Sequence, residues 1–383
     1  MKLLFINKAF ASIAGVERVM SDKMNYLAKA GHTVMLITYE QGNHPLIFKL
    51  HESICHQDLN CRFFTLLRFS PIRRIFESRK MSNRFKKRLN KIINEFQPNT
   101  IIAPTYPINL IGELISTKGQ ARLIIESHTT YLQTLKEYSK KRSFLEHIIA
   151  KVYDKHVLHL LRQCDCMGVL TEGDALFWRK HVPHVSVIPN PVTNYPEIID
   201  DVPKEEGRII SIGRLTEIKR FDRLIDAFAL IASDYPIWHL EIFGDGSDKE
   251  MLESLIAKYG LADRIIIHPP TNQIFNELKR SQMIVMSSET EGFSLVLLEA
   301  MACGIPCISF DCPFGPREII KDGLTGYLAI NGDIRDLANK MEQLIKSPDK
   351  LMEMSHNARK DVMRFKKEII LKKWEKLYEG YYI

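Results

Sequence analysis

Two carboxylates, Glu291 and Glu299, stand eight residues apart in the run Ser288-Glu289-Thr290-Glu291-Gly292-Phe293-Ser294-Leu295 that continues to Cys303-Gly304-Ile305-Pro306. A glycine and a helix start lie between them. Ser294 reads as the N-cap of a helix from Leu295 to Ala302, which Gly304 and Pro306 then end. The start of such a helix offers unpaired N–H groups at Phe293, Ser294 and Leu295 and the positive end of a dipole, which suits a phosphate. Glu299 falls about a turn and a half further in, placed to accept hydrogen bonds from hydroxyls such as those of a ribose. Glu291, ahead of the helix beside Gly292, is placed for hydroxyls of the group beyond the phosphates. A phosphate flanked by two hydroxyl-binding carboxylates describes a nucleotide sugar.

The same chemistry needs positive charge. Ser211-Ile212-Gly213-Arg214-Leu215-Thr216-Glu217-Ile218-Lys219 puts Arg214 and Lys219 just past a strand end, where two cations neutralise a diphosphate and stabilise it as it leaves. Gly15 lies at the first strand–helix turn, where a missing Cβ lets backbone approach a ligand. His128 follows a strand end in Ile125-Glu126-Ser127-His128, and Glu126 and Glu17 are weaker candidates for acceptor contacts. Gly244-Asp245-Gly246 lacks the third glycine of a phosphate fingerprint and reads as a turn near the nucleotide. No Asp-x-Asp pair follows a strand end, so no metal site is expected, and Arg214, Lys219 and the helix start take the metal's part.

These residues must be carried by strands and helices in alternation. Leu3–Ile6, His32–Tyr39, Asn99–Ala103, Arg122–Glu126 and Cys166–Leu170 read as strands with helical patterns between them, beginning with Val16–Ala30. A second series follows: Arg208–Ile212, His239–Phe243, Arg264–His268, Met283–Met286 and Pro306–Phe310, with helices such as Arg223–Ala232. The alternation implies mostly parallel sheets covered by helices on both faces. A polar, proline-bearing stretch through Pro203, Lys204 and Gly207 is the linker candidate. The spans expected are 1–190, 191–362 and an amphipathic C-terminal helix in 363–383.

The length of 383 residues allows two or three full cores. Met1 to Ile6 is too short an apolar stretch for a signal peptide and reads as a buried strand. No run reaches the roughly eighteen apolar residues of a membrane span. Seven cysteines without a Cys-x-x-Cys pair argue against a disulfide framework or structural zinc, so a cytoplasmic location is expected. Charge is uneven: Arg62 to Lys91 holds eleven Lys and Arg against one acid, Glu77, a net +10 where the whole chain is +7. Phe63, Phe64, Leu66, Leu67, Phe69, Ile72, Ile75 and Phe76 are interleaved with these cations. That pairing suits an anionic membrane surface, and no recognition motif accompanies it to suggest nucleic acid.

The Glu291–Glu299 run resembles the Glu-x7-Glu signature of retaining glycosyltransferases of family 4 and their GT-B relatives. The continuation Phe310-Asp311-Cys312-Pro313-Phe314-Gly315-Pro316-Arg317-Glu318, then Asp322-Gly323-Leu324-Thr325-Gly326, is similar to bacterial members that build surface polysaccharides. The resemblance implies an α/β GT-B architecture: two Rossmann-like, doubly wound domains facing a central cleft, with the C-terminal helix crossing back to the first. It implies a hexosyltransferase that moves a sugar from a UDP-linked donor to a lipid-linked or other saccharide acceptor, without a cofactor or metal, at the inner face of the cell membrane. Arg214 and Lys219 then contact the donor pyrophosphate, and His128 reaches the donor sugar's hydroxyls. Relatives often carry two adjacent glycines where this chain has Ala14 and Gly15, so either a tight contact at that turn is looser or the acceptor docks differently. A non-catalytic nucleotide-sugar-binding scaffold and another GT-B activity, such as an epimerase, are the alternatives.

Overall fold

The computed structural model describes residues 1–11, 15–105, 110–136, 144–192, 195 and 205–381. Ala14 and the linker positions Pro203 and Lys204 lie outside the described residues. The chain divides into two compact units, Met1–Pro189 with Ile370–Ile383, and Asn190–Ile369.

The first unit is built on β1 (Lys2–Asn7), β2 (Thr33–Thr38), β3 (Cys55–Asp58), β4 (Thr100–Pro104), β5 (Arg122–Glu126), β6 (Cys166–Val169) and β7 (Val185–Val187). They form a parallel sheet in the order β3-β2-β1-β4-β5-β6-β7. A parallel strand inside such a sheet is covered on both faces and must be apolar throughout. Leu3, Leu4, Phe5, Ile101, Ile102, Leu123, Ile124 and Ile125 are accordingly fully buried. The C-terminal helix Lys367–Glu379 buries Ile370, Leu371, Trp374, Leu377 and Tyr378. Its Tyr378 ring meets Phe5 edge-on at 5.8 Å. Gly168 of β6 is required there, since a Cβ would stand 2.7 Å from the Trp374 ring.

The second unit carries β8 (Arg208–Ile212), β9 (His239–Phe243), β10 (Ile265–His268), β11 (Met283–Met286), β12 (Cys307–Phe310) and β13 (Gly326–Ala329). Their order is β10-β9-β8-β11-β12-β13, again parallel. Its core is the buried stripe of the helix Phe221–Ile231 (Leu224, Ile225, Phe228) against Ile209, Leu240, Val285 and Ile308. In both sheets the order reverses beside the first strand of the unit, β1/β4 in one and β8/β11 in the other. Ligands of open parallel sheets bind outside the strands' carboxyl ends at such a reversal. Gly15 follows β1, Arg214 and Lys219 follow β8, and Glu291 follows β11.

Candidate active site

Leaving β8, the chain is held by its neighbour after β9. Gly213 N–H donates to the Phe243 carbonyl at 3.0 Å, and Leu215 N–H to that of Asp245 at 2.9 Å. A Cβ on Gly244 would lie 1.9 Å from the Gly213 oxygen, and one on Gly246 2.2 Å from that of Leu215. The Gly244-Asp245-Gly246 glycines therefore let two backbone loops close on one another.

The next turn, Glu217–Lys219, ends at Arg220 with φ 50°, in the left-handed region. The Arg220 guanidinium forks onto Asp222 at 2.9 and 2.7 Å, clamping the start of the following helix. Its neighbour Lys219 turns the other way, and its ammonium donates to Glu291 Oε1. Ser288 Oγ donates to the same oxygen at 2.7 Å, and Ser287 Oγ to the Lys219 carbonyl at 3.0 Å. Glu289 N–H reaches the Ile218 carbonyl at 2.9 Å. The loops after β8 and β11 are thus zipped together, with a part-buried ion pair at the seam. Phe314, at φ 82°, adopts a left-handed conformation rare for a residue with a side chain, where it bridges to Glu291. The Cys312 thiol beside this pair is pushed by burial up to about 12, so it stays protonated.

The helix Leu295–Ala302 begins at Ser294, as the spacing suggests, but the Ser294 hydroxyl makes no capping hydrogen bond. The N–H groups of the first turn are left to another acceptor. Leu297, Leu298, Ala300, Met301 and Ala302 are fully buried, and Glu299 is only 2% exposed among them. A carboxylate in such surroundings needs hydrogen-bond donors or positive charge around it. Arg214 is exposed and makes no ion pair among the described residues.

In the first unit, His128 lies against Glu126 rather than alone: Nε2 is 2.9 Å from Oε2. The same oxygen accepts from Lys23 Nζ at 2.9 Å, and Oε1 accepts from the Tyr378 hydroxyl. Lys23 is fully buried and sits 3.2 Å from the centroid of the Trp374 ring. Burial pushes the Glu126 carboxyl up, but Lys23, His128 and Tyr378 outweigh it and hold it at about 2. Burial also draws the Lys23 ammonium down to about 8 despite its partner. The expectation that Glu126 contacts an acceptor is corrected here, because both its oxygens are already committed. Glu17 keeps Oε2 buried with no partner among the described residues. Gly15 opens the helix Gly15–Lys29 and is exposed.

Sequence reasoning missed Lys23 and Tyr378. The available signal was position: Lys23 falls on the apolar stripe of its helix with Val19, Met20, Met24 and Leu27. Among the described residues, two groups of His and acids could hold a cation, His32 with Glu375 and Glu379, and Glu205 with His239 and Glu241. In the second group Arg208 already supplies the positive charge, 2.5 Å from Glu241. Neither group includes a residue of the Lys219–Glu291 seam.

Residues 197–361 match the family model of glycosyl transferases group 1, and residues 13–193 that of glycosyltransferase family 4. An uncharacterized glycosyltransferase of Haemophilus influenzae is 27% identical over 98% of this chain and 99% of its own length. The lipopolysaccharide 1,6-galactosyltransferase of Salmonella typhimurium is 34% identical over 42% of this chain and 46% of its own length. Among solved structures, TarM of S. aureus, crystallised with UDP and a glycerol-linked α-GlcNAc, aligns over 99% of this chain and 100% of its own with a TM-score of 0.79. At 16% identity that last likeness speaks for the fold alone. The two matched spans cover both units, and the chain belongs to the group 1 glycosyltransferases: it is a hexosyltransferase-type enzyme with two Rossmann-like domains of the GT-B fold.

Proposed function

We propose that the chain is a retaining, metal-independent transferase that moves a sugar from a UDP-linked donor to a lipid-linked saccharide in bacterial polysaccharide assembly. The observation that carries the reading is the seam after β8 and β11, where Lys219 is held on Glu291 three residues ahead of an uncapped helix start. The donor diphosphate takes the N–H groups leading into the helix at Phe293, Ser294 and Leu295 together with Lys219 and Arg214, with Gly292 beside them. Glu299 accepts from the ribose hydroxyls, and Glu291 and His128 from those of the transferred sugar. Gly15 lets backbone come close to the donor. Charge on the departing diphosphate is met by Lys219, Arg214 and the helix start, the work a divalent cation does elsewhere. The acceptor hydroxyl attacks the anomeric carbon on the face from which the diphosphate leaves. The bond to the phosphate oxygen breaks as the new one forms, and that oxygen takes the hydroxyl proton. No side chain has to act as a strong base.

Relatives named for lipopolysaccharide and poly(ribitol-phosphate) glycosylation support the substrate class. Support for the membrane comes from the helix Pro71–Phe96, whose later half is packed through Phe85, Leu89, Ile92 and Ile93. Its first half exposes Ile72, Ile75 and Phe76 among Arg73, Arg74, Arg79 and Lys80. Each cation near anionic headgroups contributes about 1 kcal/mol. No helix among the described residues is long and apolar enough to cross a membrane.

The test is slow hydrolysis of UDP-glucose, UDP-galactose and UDP-N-acetylglucosamine in EDTA, followed by proton NMR. Release of the α-anomer first, undiminished by the chelator, is expected. A β-anomer would exclude retention, and loss of turnover in EDTA would exclude metal independence.

A further inference from the structure

We propose that Lys23, Glu126 and Tyr378 are positioning residues that fix the His128 imidazole as its Nε2–H tautomer. This leaves Nδ1 as an acceptor, so the ligand group at His128 must donate a hydrogen bond. The second half rests on the reading of His128 as a contact to hydroxyls of the transferred sugar.

The assignment follows from counting protons. A Lys ammonium has donors only, so the 2.9 Å contact from Lys23 makes Glu126 Oε2 an acceptor. The Tyr378 hydroxyl donates to Oε1, which occupies the second oxygen. The Lys23 ammonium 2.9 Å away and the Tyr378 hydroxyl hold the carboxyl ionised, at about 2, so it has no proton to give to a ring nitrogen. The nitrogen 2.9 Å from Oε2 must then be the donor, and it is Nε2. Rotating the ring by half a turn would set a carbon against Oε2 and lose the bond. Burial keeps water from offering another arrangement, since the His128 and Glu126 side chains are 5% and 1% exposed. A neutral imidazole bound through Nε2–H presents a lone pair at Nδ1. A sugar hydroxyl can donate to it; a phosphate oxygen, with no proton to give, is repelled.

Three elements meet at the carboxylate. Lys23 comes from the helix Gly15–Lys29, Glu126 ends β5, and Tyr378 comes from the C-terminal helix. Trp374, one turn before Tyr378, covers the ammonium. The C-terminal helix is in this way part of what orients His128, at a sequence separation of 252 residues between Tyr378 and Glu126.

The experiment is nitrogen-15 NMR of the full chain labelled at histidine, at neutral pH, for wild type and for Lys23→Met/Glu126→Leu. That double variant removes both buried charges together and leaves Nε2 without its acceptor. His128 should be an Nε2–H ring in wild type and a mixture of tautomers in the variant. Hydrolysis of UDP-glucose should then fall at least tenfold in kcat, with KM within twofold. An Nδ1–H ring, or a ring protonated at both nitrogens, in wild type overturns the assignment by itself, without reference to any variant's folding. A tautomer unchanged in the variant, or unchanged turnover beside a scrambled tautomer, overturns the positioning role. The NMR readout needs no nucleotide sugar, so it stands or falls apart from the donor site on the second unit.

Discussion

Replacing Lys23 by Met tests whether the buried pair is held together as described. Glu126 sits at about 2 rather than 4.5, a displacement worth about 3 kcal/mol of folding free energy at neutral pH. Burial draws Lys23 down to about 8 from 10.5, so desolvation of the pair opposes what their attraction contributes. Removing one partner is different. Lys23→Met leaves a buried carboxylate facing only the His128 ring and the Tyr378 hydroxyl, and a loss of about 3–5 kcal/mol is expected at pH 7. The sign with pH is fixed: the depressed Glu126 value stabilises fully above its unfolded value of 4.5 and is lost as pH falls towards 2. In the variant the carboxyl is free to rise and take up a proton, so the deficit against wild type narrows on acidification. Urea unfolding followed by tryptophan fluorescence reads this, because Trp178 and Trp374 lie in the first unit and Trp374 covers Lys23. Lys23→Met/Glu126→Gln, a neutral amide of the same shape that still accepts from His128, should recover at least half of the loss. A cost below about 1 kcal/mol for the single variant, or no recovery in the double, would refute the reasoning.

Two further outcomes follow from single sites. Gly244→Ala forces the loops after β8 and β9 apart, since its Cβ would meet the Gly213 oxygen at 1.9 Å. It should lower the melting temperature of the second unit and weaken UDP binding at least tenfold, read by calorimetry. Burial raises the Asp174 carboxyl to about 6 even though the Tyr131 N–H and the Trp178 indole donate to it. A raised carboxyl favours the fold fully below its unfolded value of 3.8 and loses that contribution as pH rises through 6, a change of about 3 kcal/mol. Unfolding free energies of wild type and Asp174→Asn at pH 4 and pH 7 check this: the variant should lack that fall.

The central strands were legible because parallel burial leaves no room for polar positions. Arg122–Glu126, Arg208–Ile212, His239–Phe243 and Met283–Met286 have the bounds read from the sequence. Of the four edge strands, only Ile265–His268 was. Cys55-His-Gln-Asp58 has one open side and no apolar run, Val185–Val187 is three residues long, and Gly326–Ala329 hides behind a turn motif. In the second unit the site could be read because its parts are local: Lys219 lies seven residues past β8, and Glu291 five past β11. What could not be read was the partnering of Lys219 with Glu291, or of Glu126 with Lys23 and Tyr378. Those pairs are 72, 103 and 252 residues apart, and only the closed sheets bring them together.

The measurement that bears most directly on the donor site is calorimetric titration of UDP, in EDTA, into wild type and Lys219→Met. Wild type should bind without metal, and the variant should lose at least tenfold in affinity, because the diphosphate would keep only Arg214 of its two cations. Equal affinity in the two proteins, or wild-type binding that appears only when a divalent cation is restored, would contradict the account.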